Sequence, residues 1–167
     1  MSRSVAALFK RLTYEEMIMF RKLVVVGIYV AALSTAALAQ TAEYGTAEEA
    51  RAMLEKAVAA LKADKAKALD MFNKGEGDFR DRDLYVFCAN AFDGVETAHP
   101  THRGVKLTDV RDVNGFAAGQ EMMRRATEGK ISEIAYMWPR PSSDMPVQKV
   151  TFFTKIHDQI CGVGYYK

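Results

Sequence analysis

Alternation of apolar and polar positions divides the chain into strands and helices. Five runs rich in β-branched and aromatic residues predict five strands, at residues 84–91, 95–99, 131–138, 147–157 and 160–166. The polar pair Asp158-Gln159 separates the last two runs, so these two predict a β-hairpin. The pair Asp93-Gly94 is a turn signal between the first two runs.

Apolar residues recur with helical spacing in the region before the first predicted strand. Thr46 and Glu49 form a capping-box pattern, and apolar residues then recur every three to four positions. This predicts one long amphipathic helix over residues 46–73, bent near Asp64, while residues 116–127 predict a second, short helix. The apolar stripe of the long helix must be buried, either on the sheet or in a helical dimer seam.

The order of these elements predicts an α+β fold. We expect a PAS-like five-stranded antiparallel sheet, with the long N-terminal helix on one face and the short crossing helix on the other. In such an arrangement the first and last strands are neighbours in the middle of the sheet.

The start of the chain has the three-part form of a secretory signal peptide. Arg21 and Lys22 precede a charge-free apolar run at residues 23–38, which ends in the small-residue pattern Ala37-Leu38-Ala39. The run is shorter than the ~20 residues that span a bilayer, so cleavage near Ala39 is favoured over a retained N-terminal anchor.

The cleavage point changes the charge balance and sets the domain boundaries. The whole chain carries +2, but residues 1–39 hold five Lys or Arg and two Asp or Glu, so residues 40–167 carry about −1. Basic and acidic residues are interleaved there, which argues against nucleic-acid binding. Two glutamates before residue 17 do not suit a signal peptide, so we expect translation to begin at Met17 or Met19. Residues 40–167 suit one periplasmic or secreted domain.

Cys88 and Cys161 both lie in predicted strands of the exported part. Export supplies an oxidising setting, and neighbouring first and last strands would let the two thiols meet. We therefore predict a disulfide between them. Two buried, reduced cysteines that act as small apolar residues are the alternative.

Eight short segments between residues 83 and 166 form a pattern in a fixed order. They are Asp83-Leu84-Tyr85-Val86-Phe87, Asp93-Gly94, Ala98-His99-Pro100, Gly104-Val105-Lys106-Leu107, Asp112-Val113-Asn114-Gly115, Tyr136-Met137-Trp138-Pro139, Lys149-Val150-Thr151-Phe152 and Gly162-Val163-Gly164-Tyr165-Tyr166. In this order and spacing they resemble the single Cache domain family of extracytoplasmic sensor domains.

The resemblance implies binding of small organic ligands, often carboxylates, in a pocket beside the sheet. Family members usually sit on chemoreceptors or sensor kinases, whereas this chain shows an export segment and no signalling module. We therefore expect it to be closest to a free-standing secreted member, with a membrane sensor protein as a candidate partner.

Lys149 is the candidate charge for a ligand carboxylate. It lies within an apolar strand, and on the pocket face its ammonium could pair with the anion. The alternative is an edge lysine that reaches water and discourages edge pairing.

Aromatic and histidine side chains complete the candidate site. Tyr136 and Trp138 share one strand face, where they could form apolar walls or ordinary core. His99, at the end of a strand, could donate to a carboxylate or cap the strand. His102 lies three residues further on, but no cysteine or carboxylate cluster completes a metal site, so we expect none. Arg111, in the crossing loop, is either solvated or closes over the ligand.

No catalytic constellation is visible in the sequence. It lacks a nucleophile elbow, a Cys poised beside a His and a Gly-rich phosphate loop after a strand. We therefore expect neither an enzyme nor a cofactor. Two hypotheses remain: an exported domain that binds a small organic acid, or an interaction module without a ligand that binds a membrane sensor or dimerises through its long helix.

Overall fold

The structure is a computed structural model that describes residues 43–141 and 143–167. The predicted signal peptide and its cleavage point lie outside these residues. Within the described part of the chain, no helix has both the length and the apolar character needed to cross a membrane.

The predicted long helix is two helices, α1 (Ala47–Ala63) and α2 (Lys65–Lys74). The capping box at Thr46 is present, because its side chain accepts from the backbone N–H of Glu49 and the Glu49 side chain accepts in return. Asp64 has extended backbone angles and separates the helices, ending α1 and capping α2 through its bond from the Lys67 N–H. The bend expected at Asp64 is thus a complete break.

The sheet has six antiparallel strands, one more than the sequence predicted. They are β1 (Arg80–Asp81), β2 (Leu84–Asn90), β3 (Glu96–Ala98), β4 (Ser132–Pro139), β5 (Pro146–Ile156) and β6 (Gln159–Tyr166). The order is β1-β2-β6-β5-β4, and β3 pairs with β2 on the side away from β6. The additional strand β1 contains only two residues and lies between the predicted long helix and the first predicted strand.

Two further predicted boundaries differ in detail. The turn of the last hairpin is His157-Asp158, since Gln159 already pairs with Ile156. A left-handed backbone at His157 (φ 53°) makes this turn, which the polar character of the pair alone could not place. The crossing segment consists of a 3₁₀ turn, Leu107–Asp109, and the helix α3 (Ala118–Arg125).

The α+β fold class and the PAS-like strand order are confirmed, with β2 and β6 adjacent in the sheet. The predicted disulfide is present: Cys88 and Cys161 are direct cross-strand partners with their Cα atoms 4.0 Å apart. This covalent link joins the first long strand to the last. The alternative of two reduced cysteines is therefore wrong.

The two faces of the sheet bury different side chains. The α1 stripe of Ala50, Met53, Leu54, Ala57 and Leu61 packs against one face, so the stripe is used within the domain. The opposite face carries Phe87, Tyr136 and Phe153 and is covered by Leu107 and Met122 of the crossing segment. This second cover is partial, and the space that it leaves is the candidate site.

Candidate functional site

A cavity of about 330 Å³ lies between the sheet and the crossing segment. Its size falls at the lower end of the range for small-molecule pockets. Its lining residues are Tyr85, Phe87, Glu96, His99, His102, Val105, Leu107, Asp109, Val110, Arg111, Met122, Tyr136, Trp138 and Lys149. The apolar members surround a small number of polar groups, which is the usual composition of a site for a small organic ligand.

Lys149 lies at the floor of the cavity and is 2% exposed. Its Nζ donates to the Tyr85 hydroxyl at 2.9 Å and lies 4.5 Å and 4.9 Å from the ring centroids of Tyr85 and Tyr166. Burial lowers the pKa of its ammonium group. Because β5 lies between β4 and β6, the alternative of an edge lysine that reaches water is wrong.

Gly164 makes the position of Lys149 possible. A Cβ atom at Gly164 would overlap Cε of Lys149 and would lie 2.7 Å from Oγ1 of Thr151. Gly162, two residues earlier, leaves similar room for Phe87, whose Cζ would be 2.6 Å from an added Cβ. The two glycines leave the middle of this face of β6 without side chains, and residues from β2 and β5 fill the space.

His99 is held in one tautomer by its own loop. Its Nδ1 accepts from the backbone N–H groups of Thr101 (3.0 Å) and His102 (3.1 Å), so its remaining proton belongs on Nε2. Burial, followed by the charges of His102 and Lys149, lowers the pKa of His99 to about 3. His99 is therefore a neutral ring with an Nε2–H donor at the cavity wall.

A β-bulge decides which side chains of β3 reach the cavity. Cys88 pairs with Ala98 and Ala89 pairs with Glu96, which leaves Thr97 as the extra residue. The Thr97 hydroxyl donates to the Cys88 carbonyl at 3.2 Å. As a result, Ala98 packs with the helix-covered core while Glu96 borders the cavity.

Glu96 is a buried acid in this wall. It is 4% exposed, and its Oε2 has no hydrogen-bond partner in the described part of the chain. Burial raises its pKa to about 8. The carboxyl group is therefore mostly protonated at neutral pH.

Tyr136 and Trp138 form the wall on β4. Their rings meet edge to face with centroids 6.0 Å apart, and the Tyr136 hydroxyl shares a hydrogen bond of 3.0 Å with Thr151. Tyr136 is in one row with Lys149 and Tyr166 across β4, β5 and β6. Trp138 is half-buried and is the one tryptophan of the chain.

The crossing segment supplies an exposed rim. Arg111 borders the cavity, and its guanidinium donates to the carbonyl groups of Thr108 (2.7 Å) and Val110 (3.2 Å). Asp112 anchors the segment to the sheet, because it accepts from the N–H of Met137 at 3.2 Å and from its own loop. Among the described residues, no group of three or more His, Cys, Asp or Glu is arranged to hold a metal ion.

The structure brings all four sequence-predicted residues, His99, Tyr136, Trp138 and Lys149, to this one cavity. Sequence reasoning missed Tyr85 and Glu96. Tyr85 lies in a strand that is apolar on both faces, so alternation could not assign its side. Gly162 and Gly164 alternate along β6, and this pattern could have predicted a sheet face with room for large side chains from the neighbouring strands.

Comparisons with known proteins agree with this architecture. The family model described as "Cache domain" matches residues 36–166. A 74-residue stretch is 31% identical to the methyl-accepting chemotaxis protein McpP of Pseudomonas putida. That match covers 43% of this chain and 14% of McpP, so the chain corresponds to a small part of that protein.

Two solved structures share the fold. A methyl-accepting chemotaxis protein from Vibrio parahaemolyticus superposes with a TM-score of 0.58 at 22% identity, over 71% of this chain and 86% of that one. A Cache chemosensory domain described for its carboxylic acid recognition gives a TM-score of 0.51 at 19% identity, over 93% and 99% of the two chains. Cache domains are extracytoplasmic sensor domains with a ligand-binding fold. The family match spans most of the chain, which therefore belongs to the Cache domain family.

Proposed function

We propose that this chain is an exported sensor domain that captures a small organic acid in the cavity beneath its crossing segment. One observation carries the proposal: among the described residues, a lysine is buried at the cavity floor and forms no ion pair. In the described part of the chain, Lys149 bonds only to a tyrosine hydroxyl and forms no ion pair. A buried cation is costly unless it is paired, and a ligand carboxylate would supply the pair.

The remaining polar groups suit the same ligand. The Nε2–H of His99 and the hydroxyl of Tyr85 are donors, which a carboxylate accepts from. Phe87, Leu107 and Met122 would contact a short hydrocarbon chain. The solved Cache domain described for carboxylic acid recognition has the same fold, which supports the assignment of the ligand class.

The export part of the proposal rests on the sequence. The apolar run before Ala39 has the form of a signal peptide, and the Cys88–Cys161 disulfide suits an oxidising compartment. We propose that the domain acts in the periplasm or outside the cell and passes its ligand state to a membrane sensor protein.

The competing interaction module would need a filled pocket and an exposed apolar helix stripe. In the described residues the pocket is open, and the α1 stripe is buried against the sheet. These observations favour the ligand-binding function over dimerisation through the helix.

Fluorescence of Trp138 tests the proposal directly, because the single tryptophan borders the cavity. Residues 40–167 are titrated with acetate, propionate and butyrate, and with the corresponding amides as uncharged controls of the same shape. We expect saturable changes with the acids only. Lys149→Met keeps an unbranched side chain that is one atom shorter and removes its charge, so we expect roughly 10–100-fold weaker binding. Equal binding of acids and amides, or no binding at all, would contradict the proposal.

A further inference from the structure

Glu96 lies in the cavity wall and is not one of the groups to which the proposed function assigns a role. Its carboxyl is buried in the same wall as His99, and Oε2 has no partner in the described part of the chain. An unpaired buried polar atom is rare and costly in a folded protein. A buried carboxyl without a cation to pair with stays neutral, and a neutral carboxyl in a cavity wall is a hydrogen-bond donor for a ligand.

The position of Glu96 is built by the backbone around it. Its N–H donates to the Val105 carbonyl at 2.8 Å, and its carbonyl accepts from the Gly104 N–H at 2.9 Å. These two bonds tie β3 to the loop that borders the cavity. The bulge at Thr97 then directs the side chain away from the helix-covered core.

The charges around Glu96 do not provide a cation to neutralise it. The sheet contributes Tyr85, Tyr136 and Lys149, and the loop side contributes His99, His102, Asp109 and Arg111. Arg103 and Asp70 border a second cavity behind Glu96. None of these groups forms an ion pair with Glu96 in the described residues; Lys149 is bonded to Tyr85, and Arg111 to backbone carbonyls. Burial therefore keeps the acid protonated at neutral pH, with a pKa of about 8.

We propose that Glu96 is a ligand-contacting residue that donates a hydrogen bond from its protonated carboxyl to the carboxylate of the bound acid. This inference rests on the proposed function. The site would then hold the anion between the Lys149 ammonium and a neutral acid. At alkaline pH, Glu96 loses its proton and turns from a donor into a second anion, which repels the ligand. The same arrangement disfavours 2-amino acids, because a protonated Glu96 offers no negative charge to their ammonium group.

The experiment measures acetate binding by calorimetry at pH 7 and pH 9, in buffers of different ionisation enthalpy. With a pKa of about 8, the wild type should bind acetate about tenfold more weakly at pH 9 than at pH 7. Near pH 8 it should take up roughly half a proton per acetate. Glu96→Gln should bind more weakly at pH 7, because an amide is a poorer donor, and should lose both the tenfold ratio and the proton uptake.

Asp109→Asn is the matched control. It also removes a carboxyl from the cavity lining, but an exposed one, and it should retain the wild-type ratio between pH 7 and pH 9. An unchanged ratio in Glu96→Gln would assign the titration to Lys149 and overturn the role of Glu96. Binding of the free amino acid alanine, with release of a proton from the protein, would also overturn the role of Glu96. If acetate binds at neither pH, the proposed function itself fails.

A second measurement keeps the inference testable if Glu96→Gln does not fold. The infrared spectrum of the wild type at pH 7 should contain the carbonyl band of a protonated carboxyl group, and acetate should shift that band. A spectrum that contains only carboxylate bands at pH 7 would overturn the inference.

Discussion

Lys149 crosses β6 directly over Gly164, and this crossing brings its Nζ within 2.9 Å of the Tyr85 hydroxyl. We predict that Gly164→Ala displaces the lysine and weakens carboxylate binding roughly tenfold or more, the effect of losing one charged hydrogen bond. The added methyl group should also lower the free energy of unfolding by about 1–3 kcal/mol, as overpacking does. Calorimetric titration and urea unfolding measure the two effects.

Two further variants distinguish displacement of Lys149 from a general loss of stability. Gly162→Ala crowds the Phe87 ring instead, so it should cost similar stability and less carboxylate affinity. In a Lys149→Met background, Gly164→Ala should cost little further affinity, because the charge that it displaces is already gone. Fully additive losses of affinity would show that Gly164 does not act through Lys149.

His99 should make the domain sensitive to acid. Its pKa of about 3 in the folded state lies below the ordinary value near 6.5, so between these two pH values the unfolded chain binds more protons. Stability should therefore fall as the pH drops from 6.5 towards 3. His99→Asn removes the titrating ring but keeps an acceptor for the backbone N–H groups, so its unfolding free energy should depend less on pH.

Urea unfolding at pH 7, 5.5 and 4 measures this difference between wild type and variant. His99→Gln provides the companion change, since its longer amide can donate into the cavity but is poorly placed to cap the loop. It should retain more carboxylate affinity than His99→Asn and less stability at pH 7. Identical pH profiles for wild type and His99→Asn would show that His99 is not responsible for acid sensitivity.

The Cys88–Cys161 disulfide links residues 73 positions apart. We predict that replacing both cysteines with alanine lowers the free energy of unfolding by about 4 kcal/mol, because the unfolded chain gains the freedom of a long open loop. Denaturant unfolding of the double variant, with and without reductant, provides the measurement. Reductant should destabilise the wild type and leave the double variant unaffected; a wild type insensitive to reductant after full thiol exposure would contradict the prediction.

Asp64 should affect stability without affecting the ligand. It caps α2 through its bond from the Lys67 N–H and lies on the helix-covered side of the sheet, away from the cavity. Asp64→Ala should therefore cost about 1 kcal/mol, typical of a lost N-cap. Its acetate affinity should equal that of the wild type, which makes it a control for variants inside the site. Thermal unfolding and Trp138 fluorescence provide both values.

The sequence contains enough pattern to predict most of the fold. The helical spacing of apolar residues before Asp64 predicts a helix with one buried face, and the β-branched runs up to Tyr166 predict buried strands. The disulfide between Cys88 and Cys161 connects the first long strand with the last. The break at Asp64 was less predictable. The local sequence around Asp64 is compatible with a bent helix and with two separate helices, and only tertiary packing decides between them.

The site residues were predictable only on strands where regular alternation assigns each side chain to one face of the sheet. Tyr136 and Trp138 alternate regularly on β4, and Lys149 is opposite Tyr136 in the register. Glu96 could not be found in this way, because simple alternation places it on the same side as Ala98. The irregular pairing at Thr97 depends on how β2 and β3 meet, which is a tertiary property.

That irregularity means that the chemistry of the cavity depends on how two strands pair as well as on the identity of its residues. Without the bulge, Thr97 would pair with Ala89, and the carboxyl of Glu96 would turn towards the helices together with Ala98. Relatives that pair these two strands regularly would then present different groups to their ligands, even with every cavity residue unchanged.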